Sequence, residues 1–161
     1  MSGEVFYKKE CASNDKWFCG YDGERKLILD EFRGSAHISM EMLNSWLQPH
    51  PSRVQPKFGS AVLIAEHFVL TSPMHPNLWY PKNLNSRHDN VDQLLRRITA
   101  IYEHYDAAGD LRPPAGVAYQ TVRFQNETVH IVETRRRPTE TNRAWCDRVR
   151  AMHMAQVDGE L

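Results

Sequence analysis

The chain has 161 residues, 41% hydrophobic and 25% charged, which is ordinary for a globular protein and long enough for one domain with a real core. Twenty Lys and Arg balance twenty Asp and Glu, so net charge gives no argument for a polyanionic partner. No run of about 18 apolar residues is present to span a membrane, and the opening MSGEVFYKKE lacks the apolar stretch of a signal peptide. Cys11, Cys19 and Cys146 are odd in number and without CxxC spacing, which speaks against a disulfide framework or zinc site and for a reducing compartment.

In chain order, Val5 to Tyr7 is a short β-prone run, and Lys16 to Glu24 is an aromatic, glycine-punctuated stretch that reads as an ordered turn. Lys26 to Phe32 carries the apolar run Leu27-Ile28-Leu29, closed by Asp30-Glu31, the pattern of a buried parallel strand that delivers carboxylates to the sheet edge. Ser39 to Leu47 predicts a helix capped by Ser39, with Met40, Leu43 and Trp46 at helical spacing, stopped by Pro49 and Pro51. Arg53 to Ser60, around Pro56 and Gly59, reads as a hairpin or loop. Ala61 to Ala65 and His67 to Thr71 are strand-like, the second ending in Thr71-Ser72, and Leu27 to Leu29 and Phe68 to Leu70 are both expected as central strands. Asn90 to Tyr105 predicts a long helix with Leu94, Leu95, Ile98 and Ile101 as its stripe and Arg96-Arg97 beside it. Beyond Asp106, Pro113-Pro114 marks a boundary. Val117 to Phe124 and Thr128 to Glu133 suit a hairpin, Arg135-Arg136-Arg137 a basic turn, and Ala144 to Val157 a helix.

An apolar strand ending in two carboxylates suits a nucleoside triphosphatase. Asp30 would hold Mg²⁺, which prefers oxygen ligands and keeps several waters, and Glu31 would orient or deprotonate the attacking water. An ordinary strand with a charged turn fits the same residues. The order of features adds weight: Thr71-Ser72 stands where a polar sensor of the γ-phosphate would sit, and Arg96-Arg97 where an arginine finger would.

The stretch Lys16-Trp17-Phe18-Cys19-Gly20-Tyr21-Asp22-Gly23-Glu24, followed by Leu27-Ile28-Leu29-Asp30-Glu31-Phe32-Arg33-Gly34, resembles the replication initiator (Rep) proteins of circoviruses and their relatives. Asn77-Leu78-Trp79-Tyr80 is similar to the Trp-Tyr pair after that family's motif C, and Leu94-Leu95-Arg96-Arg97-Ile98 to its LxRRI segment, so that the likeness covers Val5 to His104. It implies an α/β fold of AAA+ type with a mostly parallel central sheet. It also implies a superfamily 3 helicase that binds ATP and Mg²⁺, assembles as a homo-oligomeric ring, moves along single-stranded viral DNA and works in the host nucleus. Residue by residue, Asp30 and Glu31 match the Walker B acids, Asp30 being the metal ligand, and Thr71 and Ser72 match motif C. Arg96 or Arg97 matches the arginine finger, and Lys57 and Gly59, with Arg53 assisting, match the DNA-contacting loop. A Lys on a hairpin tip can track phosphates without reading sequence.

Two departures stand out. Pro73 occupies the position of the family's motif C Asn and has no side-chain donor. No GxxxxGK[ST] loop, which would cradle the phosphates, occurs anywhere in the 161 residues. The expectation is therefore a helicase-like domain over 1–105 (Walker B to arginine finger) that lacks its phosphate loop, with a variable extension over 106–161, uncovered apolar surface and no ATP turnover on its own. The alternatives are a non-catalytic Rep-like module for oligomerisation or nucleic-acid binding, and a generic α/β domain.

Overall fold

The computed structural model describes residues 5–8, 18–56, 59–80, 91–108, 112–124 and 127–158. The chain divides into two compact units, Met1–Arg97 and Ile98–Leu161.

In the first unit, three short runs rich in β-branched and aromatic residues, Val5–Lys8 (β1), Lys26–Leu29 (β2) and His67–Leu70 (β5), form a parallel sheet in the order β1-β2-β5. Side chains alternate between faces along each strand. One face carries Leu27 and Leu29, at 1% and 0% exposure, over the core. The other sets Tyr7, Ile28 and Val69 side by side in register, and there Tyr7 and Val69 are half exposed, at 51% and 53%. Parallel sheets are normally covered on both faces, and among the described residues this face is the more accessible one. Leu27 to Leu29 is the central strand. Phe68 to Leu70, also expected to be central, is the edge strand among the described residues, because its only ladder partner there is β2.

The link from β2 to β5 holds a helix and a hairpin. Met40–Trp46 (α1) begins at Ser39, whose hydroxyl accepts from the Met42 N–H at 3.2 Å, and buries Met40, Leu43, Asn44 and Trp46. Ser52–Val54 (β3) and Ala61–Leu63 (β4) pair antiparallel, the hairpin expected around Pro56. The core is aromatic. Phe18 meets Trp46 edge-on at 4.8 Å and Phe6 meets Tyr21 edge-on at 5.3 Å. The Tyr21 hydroxyl donates to Glu24 O and accepts from Ile64 N, which ties the glycine-punctuated turn to the end of β4.

The expected helix from Asn90 to Tyr105 is corrected. Helix is confined to Val91–Leu95 (α2), and Ala100–Asp106 is a seven-residue strand (β6). The physical reason lies in the sequence Ala-Ile-Tyr-Glu-His-Tyr-Asp, whose alternating burial has period two, with β-branched Ile98 and Thr99 just before it.

In the second unit, β6 pairs with Glu127–Arg135 (β8), which pairs in turn with Gln120–Phe124 (β7), giving an antiparallel sheet in the order β6-β8-β7. The hairpin and the last helix, Asn142–Asp158 (α3), follow the sequence expectation. Ile101, Val132, Trp145, Cys146 and Val149 are its buried residues. The basic run is tied down by acids: Arg135 Nε donates to Glu133 at 2.7 Å, and the Arg137 N–H donates to Glu140 at 3.1 Å. Among the described residues, no helix is long and apolar enough to cross a membrane.

Glu140 also accepts from Arg148 Nε at 2.9 Å and Nη2 at 2.7 Å, and these bonds push its carboxyl down to about 2. The unfolded carboxyl titrates near ~4.3. The folded pKa is the lower one, so the stabilisation is complete above the unfolded value and is lost as pH falls toward about 2. Glu140→Gln should lower the thermal midpoint at neutral pH and flatten its fall in acid. Melting curves followed by circular dichroism from neutral to acidic pH check this, and parallel curves for the two proteins would refute it.

Candidate functional site

The polar ends of the three parallel strands meet. The ladder continues one residue past β2 and β5: the Asp30 N–H donates to Lys8 O at 3.2 Å and the Thr71 N–H to Leu29 O at 3.0 Å. Parallel register thus sets Asp30, one residue beyond β2, beside Thr71, one residue beyond β5. The Thr71 hydroxyl donates to Asp30 Oδ1 at 2.5 Å and accepts from the Glu31 N–H at 2.9 Å. From the other flank, the Tyr7 hydroxyl of β1 donates to Asp30 Oδ2. The hydrogen bond to Asp30 holds the Tyr7 phenol above its ordinary pKa, with desolvation and the charges of Asp30 and Glu31 adding to it, so the phenol stays a donor.

Glu31 has a left-handed backbone, φ 51°. A non-glycine residue there is uncommon, and such conformations concentrate where function over-determines the backbone. Its carboxylate is exposed and 3.5 Å from Arg33 Nη2, while the Phe32 N–H donates to Thr71 O at 2.8 Å. The two acids therefore leave the sheet on a turn locked to the neighbouring strand end.

Ser72 is turned away from this group. Its hydroxyl oxygen accepts from the Trp79 indole N–H at 2.9 Å and the Met74 N–H at 3.1 Å, which leaves it only a proton to offer. Trp79 packs edge-on against Phe32 at 4.9 Å. Nearby, the Tyr80 hydroxyl donates to Ile38 O, and burial raises its pKa strongly. The Trp-Tyr pair thus anchors the loop after β5 to the loop after Glu31.

The other sequence candidates lie elsewhere. The Arg97 guanidinium donates back to Gln93 O, and burial followed by the charge of Arg96 lowers its pKa, whereas Arg96 is exposed. Arg53 is exposed on β3, paired across the hairpin with Val62. Gly59 has φ 95° with open space around it. Lys57 lies outside the described residues.

For Mg²⁺ the fit is that of a shared site. Among the described residues no group of three His, Cys, Asp or Glu could hold a metal by itself. Asp30 offers carboxylate oxygens that keep lone pairs beyond those taken by Tyr7 and Thr71. One carboxylate plus waters and substrate phosphates is a usual Mg²⁺ arrangement, so Asp30 suits a cation whose remaining ligands are waters or phosphates.

Sequence reasoning missed Tyr7. Its partner stands 23 positions away, and only the register of β1 against β2 brings them together. The available signal was that two adjacent runs both end in polar residues, once Val5 to Lys8 is placed beside Lys26 to Leu29.

No protein-family model matches the chain. It is similar to the replication-associated protein of Porcine circovirus 1, at 31% identity over 98 residues, 61% of this chain and 30% of that protein. Likewise it is similar to the replication-associated protein of Goose circovirus, at 30% identity over 95 residues, 59% of this chain and 29% of that protein. For the replication-associated protein of Porcine circovirus 2 the identity is 30% over 87 residues, 54% of this chain and 26% of that protein. The chain spans about a third of the length of the curated relatives it matches.

Proposed function

We propose that this protein serves viral DNA replication as a Rep-like chain that carries the acidic, metal-side half of an ATP site together with a DNA-contacting hairpin. The observation that carries this reading is the meeting of Asp30 and Thr71 at the ends of adjacent parallel strands, with Glu31 held in a left-handed conformation beside them. Likeness to circovirus replication-associated proteins supports the biological setting. In this reading Asp30 holds Mg²⁺, which when bound neutralises charge on the β- and γ-phosphates. Glu31 takes the proton of the attacking water, and Thr71 stands as the polar sensor and holds Asp30 in place. Ser72 keeps the motif C loop in shape through Trp79. Arg96 or Arg97 is the arginine finger in this reading. Lys57 and Gly59, with Arg53, contact the backbone of single-stranded DNA in a ring of subunits in the host nucleus.

The sequence contains no phosphate loop, so the chain alone is proposed to lack ATP turnover. The test is a fusion that places a GxxxxGK[ST]-bearing segment ahead of Val5. It should hydrolyse ATP, and Glu31→Gln should lower kcat by about a hundredfold or more, as loss of a positioned general base does. Turnover that Glu31→Gln and Asp30→Asn leave intact would remove the catalytic reading. An inactive fusion that still binds single-stranded DNA would leave the chain a non-catalytic module.

A further inference from the structure

We infer that Tyr7 is a positioning residue for the metal-binding carboxylate: with Thr71 it clamps Asp30 from both flanking strands, so that the carboxylate is oriented before a divalent cation arrives. This rests on the reading of Asp30 as a metal ligand.

Two observations carry it. First, the two donors divide the carboxylate between them, Tyr7 at Oδ2 and Thr71 at Oδ1, and each comes from a different neighbour of the central strand. An aspartate just past a strand end would otherwise sample several χ values. Hydrogen bonds to both oxygens remove that freedom, and bonds to a charged acceptor are the strong ones. Second, the Tyr7 ring belongs to the half-exposed face of the sheet, 51% accessible. From that face its hydroxyl reaches Asp30 at the start of the turn after β2.

Partners in the outer shell of a metal site fix ligand orientation, and their loss commonly costs about 10- to 100-fold in metal affinity. Tyr7 reaches no substrate atom in this proposal. It acts through Asp30 from the flank opposite Thr71, which also accepts from the Glu31 N–H.

The experiment is a titration of the full chain with Mn²⁺ alone, read by the electron paramagnetic resonance signal of the free ion, for the unchanged protein, Tyr7→Phe and Asp30→Asn. Tyr7→Phe keeps the ring and deletes the donor. Its Mn²⁺ affinity should fall about tenfold with the melting temperature essentially unchanged, and Asp30→Asn should remove the same binding. The side-chain carboxyl carbon resonance of Asp30, assigned by its disappearance in Asp30→Asn, should move in Tyr7→Phe, which a purely structural tyrosine would not cause. If Asp30→Asn abolishes binding but Tyr7→Phe binds as tightly as the unchanged protein or more tightly, the positioning role is wrong and the metal reading stands. If Asp30→Asn binds Mn²⁺ like the unchanged protein, or no form binds in the millimolar range, the metal reading fails and Tyr7 has nothing to position.

Discussion

Gly34→Ala is expected to destabilise the first unit by about 3 kcal/mol, the largest effect of any single methyl addition there. Two costs add. Gly34 has φ 62°, a conformation that charges an L-residue roughly 1–2 kcal/mol. A Cβ built on it would lie 1.9 Å from Trp79 O, 2.4 Å from Trp79 C and 2.5 Å from Trp79 Cα. These are backbone atoms, which cannot swing aside as a side-chain tip can, and overpacking typically costs about 1–3 kcal/mol. Native proteins have only about 5–15 kcal/mol to lose. The contact is also structural glue, since the Ser35 N–H donates to Trp79 O at 2.8 Å and the Trp79 indole holds Ser72. Forcing Trp79 away would therefore loosen both loops that follow the strand ends. Gly59→Ala is the control: φ is 95° and nothing lies within 4 Å, so only the conformational cost applies. Urea titrations of the two variants separate the terms, and equal losses at both positions would refute the role of the Trp79 contact.

Gly34 also shows which parts of the molecule could be read beforehand. The Asp-Glu-Phe-x-Gly text marks a turn without saying that a tryptophan 45 positions onward is what requires the glycine. Local signals carried well. The Ser39 cap, the strand ending in Asp30 and the strand ending in Thr71 were each decided by residues within a few positions, and each stands where expected. Pairings across the sheet did not carry. Tyr7 and Asp30 are joined by parallel register, and no hydrophobic period encodes which strand is the neighbour. The helix over Asn90 to Tyr105 failed for another reason. Leu94, Leu95, Ile98 and Ile101 satisfy a helical stripe, yet Ile101 is also the first inward residue of an alternating strand whose partner, β8, lies about thirty positions downstream. A short window fits both periods, and non-local pairing decided.

That same pairing makes Trp145→Ala the second large effect, about 3–5 kcal/mol, the usual range for removing a buried tryptophan. Trp145 of α3 is the largest fully buried side chain among the described residues. The other buried residues described in the second unit are Ile101 of β6, Val132 of β8, and Cys146 and Val149 of the helix itself. A short antiparallel sheet has little stability without a partner over one face, so the helix must supply it, and Trp145 is its largest buried contribution. The helix start is separately secured: the Thr141 hydroxyl accepts from the Ala144 N–H at 3.2 Å, and the Trp145 N–H donates to Thr141 O at 3.0 Å. The Arg148 guanidinium lies 4.8 Å from the centre of the Trp145 ring and bridges to Glu140 at 2.7 Å, so removing the ring also exposes that ion pair to water. Amide hydrogen exchange should show β6, β8 and α3 losing protection together in Trp145→Ala, while Trp145→Phe, which keeps an aromatic ring in the site, loses far less. Protection retained in β6 and β8 after Trp145→Ala would mean that the sheet stands without the helix, and the core assigned to this unit would then be wrong.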